Sequence, residues 1–433
     1  RSGTFHPEME WCRDVKHPVE ANRGHRESGD ACSPGWFEIP MEPDEVAAII
    51  ISAEANPSPK SKFFDPTTVC AFSDRLSAAL QSFVVQRSSG KTVIAGYPWF
   101  LDWGRDTFIV ARGLLSAGYE DEVSEILKTF ARLEDHGTLP NVLNGDNASN
   151  RNTSDAPLWF SIVAEELAQV AENNIYEQDV GNGRTLSEVL ISIGEGYKCG
   201  VANGVRMDAQ SGLVWSPSHF TWMDTNYPAG TPRAGYPIEI QALWIRLLAQ
   251  LQKIQPDRNW GEQRQQASDS LNQYYRGPNS EWLVDNLRAT SGESAKNASI
   301  DSALRSNCLI PISLGVIEGQ AAKESVMAAQ RYLVVPGAVR SLAPLPVELS
   351  LPIIGNEGQG LNDPDKPYWG RYEGDEDTSR KPAYHNGTAW CWQLPVFCQA
   401  LAMAWGFSDK SKRAAKSYLL SMEDYLNTGC IGH

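Results

Sequence analysis

The chain has 433 residues, 42% of them hydrophobic and 21% charged, with a formal net charge of -15. That length holds one large domain or two to three ordinary ones with ample core, and the composition is that of a soluble globular protein. The acidic balance argues against a nucleic-acid or anionic-membrane partner, which requires a basic stripe, and it leaves a neutral ligand such as a carbohydrate open.

Residues 1–41 are rich in Pro, Gly, His and charge without a helical period, and they read as short strands and loops. The segment starts without an initiating Met, so we expect it to be the tail of a domain outside this chain. From about Asp44 helical patterns dominate, beginning with runs near 71–87 and 105–117. In "DEVSEILKTFARL", residues 121–133, Val123, Ile126, Leu127 and Phe130 share one face. Residues 157–172 place Leu158, Ile162, Val163, Leu167 and Val170 likewise. Pro157 falls near the start, where its missing N–H costs nothing. Further runs lie near 185–198, 238–254, 261–276, 302–316, 320–333, 391–406 and 409–427. About eleven helices with few convincing strands predict an all-α fold. The long loops between them are where function concentrates. An α/α toroid, with loops gathered at one mouth, is the expected architecture, although no fixed-period repeat marks it.

Several chemistries fail on spacing. Cys12, Cys32, Cys70, Cys199, Cys308, Cys391, Cys398 and Cys430 form no CxxC pair, so neither a zinc knuckle nor a thioredoxin motif is predicted. They are too sparse for a disulfide scaffold and fit reduced thiols in a cytoplasmic protein. "SSGKT" at 88–92 has Val85 where a P-loop needs glycine. No GxSxG elbow, HExxH helix, signal peptide or apolar run of transmembrane length occurs. We expect no metal, no cofactor, no nucleic-acid partner and no membrane partner.

Four loop clusters carry both aromatic faces and charge. "GYPWFLDWGRDTF" holds Trp99, Asp102, Trp103, Arg105 and Asp106. "NASNRNTSDAPLWF" ends on Asp155 and Trp159, where a helix begins. "FTWMDTNYPAGTPRAGYPIEIQALW" holds Trp222, Asp224, Arg233, Glu239 and Trp244. "YWGRYEGDEDTSRKPAYHNGTAWCW" holds Trp369, Glu373, Asp375, His385 and Trp390. Glycoside hydrolysis uses these residue types: one carboxyl protonates the leaving oxygen and a second activates water or attacks the anomeric carbon. Aromatic faces hold sugar rings, and charged side chains bond the hydroxyls. Each feature has a plainer reading. Arg105 and Asp106 could form a structural ion pair, and Asp155 could be only a charge favoured by a helix dipole. Asp224 has no such helix, because Tyr227, Pro228 and Gly230 keep it in a loop. His385 fits a turn or a pocket rim, and 373–377 fits a solvated acidic loop.

In the same order, "GYPWFLDWGRDTF", "NTSDAPLWF", "TWMD…TPRAGYPIEIQALW" and "AYHNGTAWCW" resemble the C-terminal domain of glycogen debranching enzymes, the amylo-α-1,6-glucosidase family. The resemblance covers residues 42–433. Upstream, "EANRGHRESGDACSPGWF" resembles the end of the β-sandwich domain that precedes this domain in bacterial and archaeal members, so residues 1–41 are its expected remnant. The resemblance implies an (α/α)6 barrel, cytoplasmic, acting on glycogen or another branched α-glucan by inverting hydrolysis of α-1,6-linked glucose.

By position, Asp224 matches the family's general acid, and Arg105 with Asp106 matches a pair gripping glucose hydroxyls. Trp99, Asp102, Asp155, Trp222, Arg233 and Glu239 match pocket-lining positions; Trp159, His385 and Trp390 join them as substrate-binding candidates. Tyr236 stands where many relatives have lysine. The chain stops at "YLNTGCIGH", whereas relatives continue into a segment resembling "SEIFDGD", which carries the family's base, and one last helix. We therefore expect a domain without its last helix, with Glu373 and Asp375 as in-chain candidates for the base. A glucoamylase-like or trehalase-like toroid enzyme, or a non-catalytic carbohydrate-binding fragment, are the alternatives. Transferase activity and oligomeric state leave no trace in the sequence.

Overall fold

An amphipathic helix buries one face, whereas a helix apolar all round must be covered on every side. Both kinds alternate along this chain. The computed structural model describes residues 3–22, 26–45, 47, 71–87, 90–97, 100–226, 230–276, 281–423 and 425. It divides into two units: Arg1–Ala71 with Glu373–Glu376, and Phe72–Tyr372 with Asp377–His433.

In the smaller unit, β1 (Thr4–Lys16) pairs antiparallel with β2 (Ser28–Glu38), and α1 (Pro18–Asn22) lies between them in sequence. These strands run 13 and 11 residues rather than the short ones expected. Register shifts between Pro7 and Glu10 and between Cys12 and Val15 let the ladder continue past residues that would otherwise end it. Across the pair, Phe5 meets Phe37 and His6 stacks on Trp36.

The larger unit is helical: α2 (Phe72–Ser82), α3 (Gly104–Ser116), α4 (Glu120–Ala131), α5 (Ala156–Val170), α6 (Leu186–Cys199), α7 (Ile238–Ile254), α8 (Trp260–Tyr274), α9 (Ile310–Ser313), α10 (Gly319–Tyr332), α11 (Lys381–Tyr384), α12 (Gln393–Ala404) and α13 (Asp409–Leu420). The expected run over 71–87 is corrected at its end. Val84–Arg87 is a strand paired with Gly90–Val93, because the β-branched pair Val84–Val85 leads into a Ser-Ser-Gly turn sequence. The run over 302–316 shortens to a 3-10 turn, Ser306–Leu309, leading into α9.

Packing follows the alternation. α3 packs on α5, α5 on α7, α7 on α9 and α9 on α12. Arg112 of α3 donates to Gln399 of α12 at 3.4 Å. The helices α4, α6, α8, α10 and α13 each pack beside a member of that series. α5 and α7 are buried along most of their length, whereas α8 and α13 are polar outside. Phe108, Phe130 and Phe160 tie α3, α4 and α5 through edge-to-face contacts at 5.0 and 5.5 Å. Among the described residues no helix is long and apolar enough to cross a membrane.

Short strands stand where the loops meet the helix starts. Asp102–Trp103 pairs with Val142–Leu143, and Ala389–Trp390 pairs with Ala338–Arg340. Gly235–Pro237 pairs with Asn286–Arg288, which pairs in turn with Ser299–Asp301. Gly104, the first residue of α3, packs so closely that a Cβ there would lie 2.9 Å from the Pro140 carbonyl oxygen and 3.2 Å from Ala156 Cβ. Backbone cannot yield as a side chain does, so Gly104→Ala should lower stability by about 1–3 kcal/mol. Gly113→Ala, on an exposed face of the same helix with its nearest neighbour atom at 3.6 Å, should instead be neutral or stabilise by about 0.5–1 kcal/mol. Urea denaturation of the two variants checks the contrast.

Candidate active site

The start of α3 carries Arg105 and Asp106, and Asp155 immediately precedes α5. A helix start invites an acidic cap, but Asp155 does not serve as one. Thr153 Oγ1 accepts the Ala156 N–H at 3.2 Å and donates to Asp155 Oδ1 at 2.8 Å. The Asp155 carboxylate therefore faces Arg105, whose Nη1 lies 3.3 Å from Oδ2. Arg105 Nη2 donates to Asp224 Oδ2 at 2.9 Å, and its Nε lies 3.6 Å from Asp106 Oδ2. One guanidinium thus gathers three carboxylates from three separate segments.

Arg105, Asp106 and Asp224 face a cavity of about 320 Å3. Its aromatic walls are Phe100, Trp103, Trp222, Tyr384, Trp390 and Trp392; His385, Ala95, Ile109 and Val110 complete them. The Trp222 ring stands edge-on to His385, Trp390 and Trp392 at 5.3, 5.6 and 5.1 Å. His385 stacks on Trp390. Apolar ring faces beside three charged side chains suit a ligand with both apolar faces and hydroxyls.

Burial acts on the charges. It raises the Asp224 carboxyl above the ordinary aspartate value, against the pull of Arg105. It raises Asp106 too, with Arg105 again opposing. For Arg105 burial opposes the charge, but Asp155, Asp224 and Asp106 outweigh it and keep the guanidinium protonated. His385 is buried and driven well below its ordinary value by desolvation, then by Arg105, Arg305 and Arg233, so the ring is neutral.

Behind this wall lies a second ion cluster. Arg233 donates bidentately to Glu239 at 2.6 and 2.9 Å and to Asp285 at 2.7 and 3.0 Å. All three are buried. Asn307 donates to Asp285 at 2.7 Å and accepts from Trp222 Nε1 at 2.6 Å. Arg305 lies 3.5 Å from Asp285 and donates to the His385 carbonyl at 2.5 Å and to Asn386 Oδ1 at 3.1 Å. Arg233 also reaches Thr221 Oγ1 at 3.2 Å. The cluster therefore fixes the Thr221–Asp224 and His385–Asn386 loops against each other.

Of the sequence candidates, Arg105, Asp106, Trp222, Asp224, His385 and Trp390 meet at the cavity. Asp155 stands behind Arg105. Arg233 and Glu239 sit in the buried cluster, and Asp102 pairs with Arg87. Trp159 is buried on α5, with the Arg112 guanidinium 5.8 Å from its ring. Trp99, Tyr227 and Pro228 lie outside the described residues. Glu373 and Asp375 are exposed residues of the smaller unit. Tyr236 donates its hydroxyl to the Glu293 carbonyl at 2.6 Å. Sequence reasoning missed Tyr384, Asp285, Arg305 and Asn307; the last three stand in stretches without aromatic clustering.

Removing one member of a buried ionic group leaves the others uncompensated. Arg233→Met should cost about 3–5 kcal/mol of stability, since Glu239 and Asp285 would then face each other without their shared guanidinium. Thermal and denaturant melts read this directly.

Comparison with known proteins gives the following. Residues 78–350 and 354–433 match the family model described as amylo-alpha-1,6-glucosidase. The glycogen debranching enzyme of Saccharomyces cerevisiae is 28% identical over 195 residues, covering 33% of this chain and 13% of that protein. The chain thus spans a small fraction of that relative's length. Among solved structures, a GH63 mannosylglycerate hydrolase from Thermus thermophilus in complex with glucose superposes with a TM-score of 0.54 at 12% identity. It covers 82% of this chain and 91% of its own. The same hydrolase in complex with Tris gives 0.53 at 12% identity, covering 81% and 92%. At this identity the likeness is one of fold.

Proposed function

The chain belongs to the amylo-alpha-1,6-glucosidase family, a glycoside hydrolase family, and on that premise we propose that it hydrolyses α-1,6-glucosidic branch linkages of glycogen or limit dextrin with inversion, releasing glucose. One observation carries the reading: Asp224 faces an aromatic-walled cavity with its carboxyl raised by burial and one oxygen held by Arg105. A general acid must carry a proton at working pH and aim it at the leaving oxygen, and burial shifts Asp224 toward the first condition.

Arg105 and Asp106 would bond hydroxyls of the terminal glucose, while Trp222 and Trp390 would hold its ring. Inversion also needs a second carboxylate, set far enough from the acid for a water. The successive packing of α3, α5, α7, α9 and α12, each beside an amphipathic partner, supports an (α/α)6 toroid over 42–433. In the same reading, residues 1–41 are the tail of a β-sandwich domain.

Asp224→Asn should reduce glucose release from panose or isomaltose by about 10²–10⁴-fold, while calorimetric binding of the oligosaccharide persists. Normal turnover in that variant would overturn the assignment. Maltotriose or trehalose cleaved in preference to both α-1,6 substrates would replace the debranching reading by another glycosidase, and binding without release of glucose would leave a binding protein.

The pH profile has a defined sign. Asp224 acts protonated, so activity falls as pH rises through its folded value, which burial raises from the ordinary aspartate value. Arg105 favours the ionised form. Arg105→Gln should therefore move the alkaline limb of kcat to higher pH, whatever it does to KM.

A further inference from the structure

Asp224 has two carboxyl oxygens in different surroundings. Oδ2 accepts from Arg105 Nη2 at 2.9 Å. Oδ1 faces His385 Nε2 at 4.0 Å. An oxygen bonded to a fixed cation is the poorer place for a proton, so the transferable proton belongs on Oδ1.

The tautomer of His385 follows from its other nitrogen. The backbone N–H of Thr225 donates to Nδ1 at 3.4 Å, and Thr225 Oγ1 contacts the same atom. A backbone amide can only donate, so Nδ1 is the acceptor and Nε2 carries the hydrogen. The ring cannot swing away: it is buried, stacked on Trp390, edge-on to Trp222, and its backbone carbonyl accepts from Arg305. The charged and titratable groups that act on it are Asp224, Arg105, Arg305, Arg233, Tyr384 and His219.

We propose that His385 is a positioning residue for Asp224, its Nε2–H locked toward Oδ1 to receive the negative charge left there when the proton departs. The inference rests on the reading of Asp224 as general acid. In the step itself, the Oδ1–H bond breaks and a new O–H bond forms on the glycosidic oxygen. The anomeric C–O electron pair goes to that oxygen, a water forms the new C–O bond on the opposite face and gives its proton to the base, and the Asp224 carboxylate keeps the negative charge. At 4.0 Å the Nε2–H does little for the protonated acid, but it is aimed at the oxygen that becomes anionic. A donor that strengthens only as charge develops favours the transition state over the ground state. A neutral ring suits this role, because the positive charge of an imidazolium would favour the ionised carboxylate and so loss of the Asp224 proton to solvent before reaction.

The test uses the full chain and three variants. His385→Phe fills the space without a donor, His385→Gln restores an amide N–H, and Asp224→Asn identifies the Asp224 signal by difference. The carboxyl is followed by ¹³C-aspartate NMR titration, and hydrolysis by glucose release from panose. His385→Phe should raise the Asp224 midpoint and lower kcat about 10- to 100-fold with KM little changed; His385→Gln should restore both. Hydrolysis of 4-nitrophenyl α-glucoside, whose leaving group departs without a proton, should fall far less. An unmoved midpoint in His385→Phe, or Gln behaving as Phe, overturns the proposal.

A second measurement needs no variant. The ¹⁵N shifts of the His385 ring in the unaltered protein should report hydrogen on Nε2 and a bare Nδ1; hydrogen on Nδ1, or a doubly protonated ring at neutral pH, also overturns it. Turnover by Asp224→Asn would instead remove the acid assignment. An inactive Asp224→Asn beside an unaffected His385→Phe leaves the acid in place and removes only the role of His385.

Discussion

Everything at the cavity turns on the Arg105 guanidinium. It comes from the first turn of α3 and contacts carboxylates from its own helix, from the residue before α5, and from the loop that holds Trp222. A planar fork with donors on several edges can serve three partners at once, which an ammonium on a flexible stem could not do with the same geometry. The fold is arranged around that contact. Gly104 has no Cβ to push α3 away from Pro140 and Ala156, and Thr153 caps α5 so that Asp155 remains for Arg105. Two small local choices thus deliver one buried cation to the cavity.

A second buried arginine does for the loops what Arg105 does for the helix starts. Arg233 binds Glu239, Asp285 and Thr221, and Asp285 links through Asn307 to Trp222. Arg305 carries the linkage on to His385 and Asn386. Burial pulls Arg305 below its ordinary value, against Asp285 and Asp301. Such a group gives little net stability when intact and costs heavily when broken. Its worth here is positional: loops without regular structure hold Asp224 and His385 because their backbones are tied to buried charge.

The helices were legible because periodicity records burial directly. Val123, Ile126, Leu127 and Phe130 share a face of α4 and are all buried. The site was legible in part for the same kind of reason: Trp222 and Asp224, or His385 and Trp390, are neighbours in sequence and remain neighbours in space. Arg233 and Glu239 lie in an equally dense motif, yet they face away from the cavity, because composition does not encode which way a side chain points. Asp285, Arg305 and Asn307 were illegible for the opposite reason. They stand in the short polar runs 285–286 and 305–307, which carry no aromatic cluster to mark them, and only the pairing of Gly235–Pro237 with Asn286–Arg288 brings Asp285 beside Arg233. Strands of two or three residues, such as those holding Trp103 and Trp390, are too short to show a period.

The charge balance of the cavity explains why an acid can persist there. Arg105 offers one positive charge to three carboxylates. Asp155 has a second donor in Thr153, whereas Asp106 and Asp224 have the cavity on their open side. Ionising all three would leave two negative charges uncompensated inside the protein, and like charges this close suppress one another's ionisation. The site is therefore short of positive charge by design of its neighbours, and a retained proton is the least costly correction. A ligand that fills the cavity and displaces water strengthens that preference, because the remaining charges lose their screening. A protonated imidazole would cancel it. The desolvated, neutral His385 adds no positive charge and keeps the shortage in place.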